Sequence, residues 1–182
     1  GVDLFVDCNR GWTVSETLLV SQACRDLKLV IEQPCATYAE CATARKHLHH
    51  PLILDESATD LATIARAISS GVADGFGMKL TRIGGISGMR AIRDLCHATN
   101  TPTSCDDSWG GDIIAAACVH VGSTFHPHLS RGAWISDPYQ AEHYDDLHGP
   151  RIVNGTIAVP PGPGLGITIP DGYFGPPIAS YA

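Results

Sequence analysis

The strongest constraint on this chain is a repeat of short apolar runs, each followed by an ionisable residue. LFV precedes Asp7, LVI precedes Glu32, LIL precedes Asp55, and DGFGM precedes Lys79. The steps between these residues are 25, 23 and 24 residues. Because one strand, one helix and two loops take about this many residues, each of the four residues is predicted at the carboxyl end of a strand in a repeating βα unit.

The apolar pattern predicts alternating strands and helices along most of the chain. The strands are predicted at about 2–7, 28–32, 51–55, 74–79, 102–105 and 123–126. Strict alternation indicates a parallel sheet, as either a barrel or an open doubly wound sheet. An open sheet binds its ligand at one switch point, whereas in this chain an ionisable residue follows each of four successive strands. The prediction is therefore an α/β fold of the (β/α) TIM-barrel type.

The strand count predicts only part of such a barrel. A closed barrel has eight strands and the pattern supplies six, so we expect two strands upstream of residue 1. The predicted barrel covers residues 1–136. Residues 137–182 are rich in Pro and Gly with short β-like pieces, and are predicted to leave the barrel and pack on another subdomain.

Composition excludes several classes of function. The formal net charge is −7 and no basic run exceeds two residues, which disfavours nucleic acid as a partner. No apolar stretch approaches the roughly 20 residues of a membrane span, and the start shows no signal-peptide pattern. The seven cysteines form no C-x-x-C pair, so most are predicted to be small core residues of a cytoplasmic protein.

Three carboxylates at neighbouring strand ends predict a metal site. Asp7, Glu32 and Asp55 would repel one another unless a cation lay between them, and carboxylate oxygens suit a hard ion such as Mg²⁺. Lys79, one strand further along, is placed to move a proton beside that ion. The pattern therefore indicates metal-assisted acid/base chemistry.

The same residues carry a resemblance to a known family. DCN at 7–9, EQP at 32–34, DES at 55–57 and K-x-x-x-GG at 79–85 resemble the motifs of the enolase superfamily, muconate-lactonizing-enzyme type. The resemblance implies a modified TIM barrel with an α+β capping domain, to which the C-terminal segment returns. It implies that Asp7, Glu32 and Asp55 bind one Mg²⁺, which stabilises an enediolate, and that Lys79 is an acid/base catalyst. Asn9 and Glu56 are then expected to support the site as further polar groups around the ion.

A later segment indicates the substrate. TPTSCDDSWGGDI resembles the seventh-strand segment of superfamily members that dehydrate cis-3-hydroxy-L-proline. Asp106 and Asp107 are predicted to meet a substrate ammonium, and Trp109 to stack on its ring. The alternative is structural, with either Asp capping a helix that begins near Gly110 and Trp109 packing at the rim. The segment holds no His, so the His base of the mandelate-racemase subgroup is not expected.

The remaining histidines are interpreted without a catalytic role. His126 and His128 flank Pro127 in the last predicted strand and are expected to lie at the barrel rim. His47, His49 and His50 precede a strand and are expected to face solvent at the opposite end from the chemistry.

The leading functional hypothesis is dehydration of cis-3-hydroxy-L-proline to Δ1-pyrroline-2-carboxylate. The alternative is a racemase or epimerase of proline betaine or hydroxyproline betaine, with a second lysine expected upstream of Gly1. A third reading is a non-catalytic barrel fragment. We expect a cyclic amino acid carboxylate as the small-molecule partner, no nucleic acid or membrane partner, and a homo-oligomeric assembly.

Overall fold

A computed structural model describes residues 4–180, and its centre is a six-stranded parallel sheet in the order β1-β2-β3-β4-β5-β6. The strands are β1 Leu4–Asp7, β2 Leu29–Glu32, β3 Leu52–Leu54, β4 Gly75–Lys79, β5 Thr103–Asp106 and β6 Ser130–Trp134. The helices are α1 Val14–Ala23, α2 Tyr38–Arg45, α3 Leu61–Ser69, α4 Leu80–Ile83, α5 Ile86–Ala98 and α6 Gly111–Gly122. Sequential parallel order with a helix in every connection is the arrangement of a TIM-type half-barrel.

Local sequence explains where these helices begin and end. Thr13 caps α1 and forms a capping box with Glu16. Thr37 and Glu40 form the same motif at α2. Asp60 caps α3 by accepting a hydrogen bond from the Thr63 backbone N–H at 2.7 Å. These caps fix the ends of the loops that connect β1, β2 and β3 to the helices that follow them. The predicted site residues lie at the start of the same loops.

The core lies between the sheet and the surrounding helices. The strands β2, β3 and β4 contribute continuous apolar runs to it, as expected for buried parallel strands. Buried side chains from the sheet include Leu52, Leu54, Phe76 and Met78, and those from the helices include Cys41, Ala44, Ile64, Ala67, Met89 and Ile92. Five of the seven cysteines are also buried, namely Cys35, Cys41, Cys96, Cys105 and Cys118. This confirms that most cysteines serve as small core residues.

The predicted strand at 123–126 is wrong. Helix α6 continues to Gly122 and is followed by a turn in which Phe125 is buried, and the sixth strand is Ser130–Trp134. The sequence SRGAW has no apolar run like those of β2 to β4, and three of its five residues are exposed. The other five predicted strands are confirmed to within two residues, although residues 2 and 3 lie outside the described part.

Two predictions about histidines are also wrong. His50 is buried rather than solvent-facing, with Nδ1 2.9 Å from Ser21 Oγ and Nε2 3.1 Å from the Cys24 carbonyl. His126 and His128 are exposed, but they lie in the turn before β6 and not in the strand predicted at 123–126. His47 and His49 are exposed, as predicted.

The C-terminal segment is attached to the barrel by buried carboxylates. Asp112, at the start of α6, contacts His143 Nδ1 at 2.9 Å and Arg151 Nη1 at 3.1 Å, and its Oδ2 accepts from the Tyr144 N–H. Asp145 accepts a hydrogen bond from the Thr168 N–H at 2.7 Å. A short antiparallel pair, β7 Ile152–Val153 and β8 Thr156–Ile157, lies between these contacts. The segment therefore packs on the barrel, while its return to a capping domain stays a prediction.

Within residues 4–180, none of the helices combines the length and the apolar character that crossing a membrane requires.

Candidate metal centre and active site

A cavity of about 740 Å³ opens at the carboxyl ends of the strands. Nearly all the site residues predicted from the sequence line it. These are Asp7, Asn9, Glu32, Asp55, Lys79, Asp106, Asp107 and Trp109. The parallel register explains the assembly, since Asp7 is paired with Glu32 and Lys79 with Asp106 on adjacent strands. Glu56 is the one predicted site residue that is not part of the cavity lining.

Asp55 is the most constrained carboxylate of the cavity. Its side chain is 3% exposed, and Oδ2 lies 2.5 Å from Lys79 Nζ. Arg82 Nη2 lies 2.6 Å from Oδ1, and Arg82 Nη1 donates to the Asp55 carbonyl at 2.6 Å. Among the described residues, Oδ1 has no partner aligned for a hydrogen bond, so the Arg82 contact is purely an ion pair. A buried carboxylate oxygen that accepts no hydrogen bond is available to bind a second cation.

Glu32 lies in an environment that disfavours its negative charge. Burial, followed by the charges of Asp7 and Asp55, raises the pKa of Glu32 to about 8, and Lys79 opposes this only in part. The carboxylate lies against the backbone of Gly77, where a Cβ would overlap Glu32 Oε1. Glycine on β4 thus leaves the space that the Glu32 carboxylate occupies.

Asp106 is held in place from two sides. Ser104 Oγ donates to Oδ2 at 2.7 Å, and the Trp134 N–H donates to Oδ1 at 3.0 Å. Burial raises the pKa of Asp106 to about 6, although both hydrogen bonds act in the opposite direction. This carboxylate faces the cavity across from the Lys79 strand end.

Asp107 is fully buried and its oxygens are used within the protein. Oδ1 accepts from the Trp109 N–H at 2.9 Å, and Oδ2 accepts from the backbone N–H and the hydroxyl of Ser136 at 2.8 and 3.1 Å. Neither predicted Asp caps α6, whose N-cap is Gly110 without a side-chain bond. This placement favours a supporting role for Asp107 over direct contact with a substrate.

Trp109 and Trp134 line the cavity and pack with Tyr139 as one aromatic wall. The Trp109 ring centroid lies 5.3 Å from that of Trp134 and 5.6 Å from that of Tyr139. Trp109 is 65% exposed and has a backbone φ of +64°, which its hydrogen bond to Asp107 supports. Exposed ring faces beside a carboxylate can attract a cationic group.

Asn9 lines the cavity beside Asp7, whereas Glu56 lies outside the cavity lining. The Asn9 backbone N–H donates to Asp7 Oδ1 at 2.9 Å and so orients that carboxylate at the cavity wall. Glu56 has a buried oxygen, Oε2, without a hydrogen-bond partner in the described part of the chain.

The carboxylates share the cavity but do not form a closed ligand cluster. Over residues 4–180, no three His, Cys, Asp or Glu side chains are close enough to hold a metal ion as they stand. Like charges repel, and the Asp55 oxygens face Lys79 and Arg82 instead. The donor set nevertheless fits a hard divalent cation, because three carboxylates line one cavity and Asp55 Oδ1 is buried without a hydrogen bond.

Two residues of the site were missed by sequence reasoning. Arg82 contacts Asp55, and its position three residues after Lys79 on a short helix was the available signal. Gln33 is fully buried beside Glu32 and accepts a hydrogen bond from the Asp55 N–H. In the sequence it looks like an ordinary loop residue, so no pattern identified it.

Comparisons with known proteins agree with this geometry. Over 180 residues the chain is 35% identical to a cis-3-hydroxy-L-proline dehydratase from Roseibium aggregatum, covering 98% of this chain and 48% of the relative. It is 29% identical over 170 residues to an N-succinylamino acid racemase from Amycolatopsis sp., covering 90% and 45%. A crystal structure of an enolase superfamily member from Roseovarius nubinhibens ISM complexed with magnesium superposes with a TM-score of 0.92 at 28% identity, covering 100% and 49%.

The chain thus spans about half the length of these relatives. The family described as "Enolase C-terminal domain-like" matches residues 1–172, which include every strand end that lines the cavity. The chain belongs to the Enolase C-terminal domain-like family.

Proposed function

We propose that this chain forms the barrel part of a Mg²⁺-dependent enzyme that removes the proton α to a substrate carboxylate. The observation that carries the proposal is Lys79, which lies in one cavity with Asp7, Glu32 and Asp55. The magnesium complex of the Roseovarius nubinhibens structure supports the choice of ion.

In this proposal Asp7, Glu32 and Asp55 hold the ion. When bound, Mg²⁺ supplies the positive charge that stabilises the enediolate, since an α-proton beside a carboxylate is otherwise too weakly acidic to be removed. The Asn9 N–H keeps Asp7 oriented, and Arg82 fixes the Asp55 backbone through its carbonyl. We also propose that Glu56 supports the Asp55 loop from the adjacent position.

Lys79 is the proposed acid/base group. Its side chain is 27% exposed and lines the cavity, so Nζ is accessible to a ligand bound there. The contact with Asp55 Oδ2 holds Nζ beside one of the proposed metal ligands. A lysine in this position can accept the α-proton and return it.

The proposed reaction is dehydration of cis-3-hydroxy-L-proline. The α C–H bond and the C3–O bond break: the neutral amine of Lys79 takes the α-proton and then gives it to the departing hydroxyl, which leaves as water. The resulting enamine becomes Δ1-pyrroline-2-carboxylate without any other reactant. The dehydratase relative and the acidic, aromatic side of the cavity support this substrate, with Asp106 facing the ring ammonium and Trp109 covering the ring.

The test is turnover by the full-length protein. With Mg²⁺ and cis-3-hydroxy-L-proline, we expect release of Δ1-pyrroline-2-carboxylate, and we expect Lys79→Met to lower kcat by about 10²–10⁴-fold. Lys46→Met, on the exposed end of α2, is the matched control and should leave kcat unchanged. Absence of product from the wild type, together with turnover of a betaine, would refute the dehydratase assignment.

A racemase or epimerase of proline betaine or hydroxyproline betaine is the second candidate. The similarity to an N-succinylamino acid racemase supports it, because racemisation begins with the same removal of an α-proton. It needs a second acid/base group on the opposite face of the substrate. Exchange of the α-proton for deuterium from D₂O, without loss of the hydroxyl, would identify this activity.

A further inference from the structure

Gln33 connects the loops that follow β1, β2 and β3. Its side chain is fully buried in the loop directly after Glu32. Its backbone carbonyl accepts from the Arg10 N–H at 2.8 Å, in the loop that follows Asp7. Its backbone N–H donates to the Ile53 carbonyl at 2.9 Å, on the strand that leads to Asp55. One residue thus touches all three strand ends that carry a carboxylate.

The Gln33 amide makes the tightest of these connections. Oε1 accepts from the backbone N–H groups of Asp55 and Ser57, each at 3.1 Å. Nε2 donates to Ser57 Oγ at 2.8 Å and to the Cys35 carbonyl at 3.0 Å. Nε2 also lies 3.6 Å from Cys41 Sγ, so the amide has five partners in all. The Asp55 loop cannot shift without breaking several of these bonds.

Only an amide of this length satisfies the surroundings. A carboxylate would place an acceptor against the Cys35 carbonyl, which is itself an acceptor. Gln33 also has a φ of +32°, a backbone conformation that is uncommon for residues other than glycine. Unfavourable backbone geometry persists where surrounding contacts determine it, and such positions concentrate at functional sites.

We infer that Gln33 is a positioning residue that sets the relative places of Asp7, Glu32 and Asp55 for one metal ion. The inference rests on the proposed function, because it assigns these three carboxylates to the metal. Gln33 itself does not reach the ion in this role; it fixes the backbone from which each ligand projects. Groups that orient metal ligands typically change metal affinity by about 10–100-fold when they are replaced.

The experiment measures metal binding separately from catalysis. Mg²⁺ affinity is determined by titration calorimetry on the full-length wild type, Gln33→Met and Gln33→Glu, with Mn²⁺ electron paramagnetic resonance as a second readout. Gln33→Met removes all five side-chain hydrogen bonds at nearly constant length, and Gln33→Glu removes only the donor. We expect the Kd for Mg²⁺ to rise about 10–100-fold in both variants.

Ser21→Ala is the control for a general loss of stability. Ser21 is equally buried and bonds His50 Nδ1 at 2.9 Å and the His49 N–H at 3.1 Å, near the amino ends of the strands. We expect it to lower stability while leaving the Kd for Mg²⁺ within about twofold of the wild type. If Gln33→Met does not fold, Ser57→Ala, which removes one partner of the amide, should still raise the Kd.

The outcomes separate the two levels of inference. A wild type that binds neither Mg²⁺ nor Mn²⁺ overturns both the proposed function and the role of Gln33. A wild type that binds Mg²⁺, with folded Gln33 variants that bind it equally well or that match Ser21→Ala, overturns the role of Gln33 alone.

Discussion

Replacing Gly77 with alanine tests whether the space behind Glu32 sets the metal affinity. Gly77 is buried in β4, and a Cβ at this position would overlap Glu32 Oε1 and lie 3.5 Å from Asp55 Cβ. Oε1 is the far end of a flexible side chain, so the overlap can be relieved by moving the carboxylate rather than the backbone. Stability and metal binding should therefore respond differently.

The expected magnitudes follow from this difference. Overpacking a core lowers the free energy of unfolding by about 1–3 kcal/mol. Because the Glu32 carboxylate can move aside, we expect Gly77→Ala to cost about 1 kcal/mol, the low end of this range. The displaced carboxylate, in contrast, loses its place beside Asp55. We expect the Mg²⁺ affinity to fall at least about tenfold, which corresponds to about 1.4 kcal/mol.

Urea unfolding and calorimetric Mg²⁺ titration of the full-length protein measure the two effects. Gly122→Ala is the control, because its Cβ would lie 3.4 Å from Cys105 Cβ, an ordinary contact. We expect this control to bind Mg²⁺ like the wild type. A folded Gly77→Ala protein with unchanged Mg²⁺ affinity would refute the assignment of Glu32 as a ligand in this position.

Two further predictions concern the attachment of the C-terminal segment. Asp112→Asn should lower the free energy of unfolding in urea by about 1.5–3 kcal/mol, because Asp112 is buried and pairs with Arg151; an unchanged urea midpoint would contradict this anchoring. Hydrogen bonds, first that from the Thr168 N–H, lower the pKa of Asp145 to about 2. Since an unfolded Asp titrates near about 3.9, this anchor is complete above about pH 4 and is lost as the pH falls through about 2. Hydrogen-exchange protection at Thr168 should follow that window, and Asp145→Asn should remove the dependence.

Much of the fold was predictable because each of the strands β1 to β4 is an apolar run that is followed by an ionisable residue. Apolar runs identified these strands, and the ionisable residue after each run located its carboxyl end. The sixth strand was missed because SRGAW is mostly exposed and contains no apolar run. The buried Phe125 made the preceding turn resemble a strand.

The candidate site was predictable only where a residue type implies its chemistry. A carboxylate or a lysine at a strand end is recognisable by itself, which is why Asp7 and Lys79 were found. Gln33 and Arg82 act through distances and angles that the sequence does not contain. The supporting position of Asp107 depends on its contact with Ser136, 29 residues later in the chain, and no local pattern reports such a contact.

The strand order also divides the tasks of the proposed enzyme between two parts of the sheet. Strands β1 to β4 supply the carboxylates and the lysine, whereas β5, β6 and their loops supply Asp106 and the aromatic wall. Removal of an α-proton is the same step for many carboxylate substrates, whereas the contacts that bind the rest of the substrate differ from one substrate to another. Exchanging the loops after β5 and β6 would therefore redirect the protein to another carboxylate while retaining the first chemical step, so new specificities can arise here through local change.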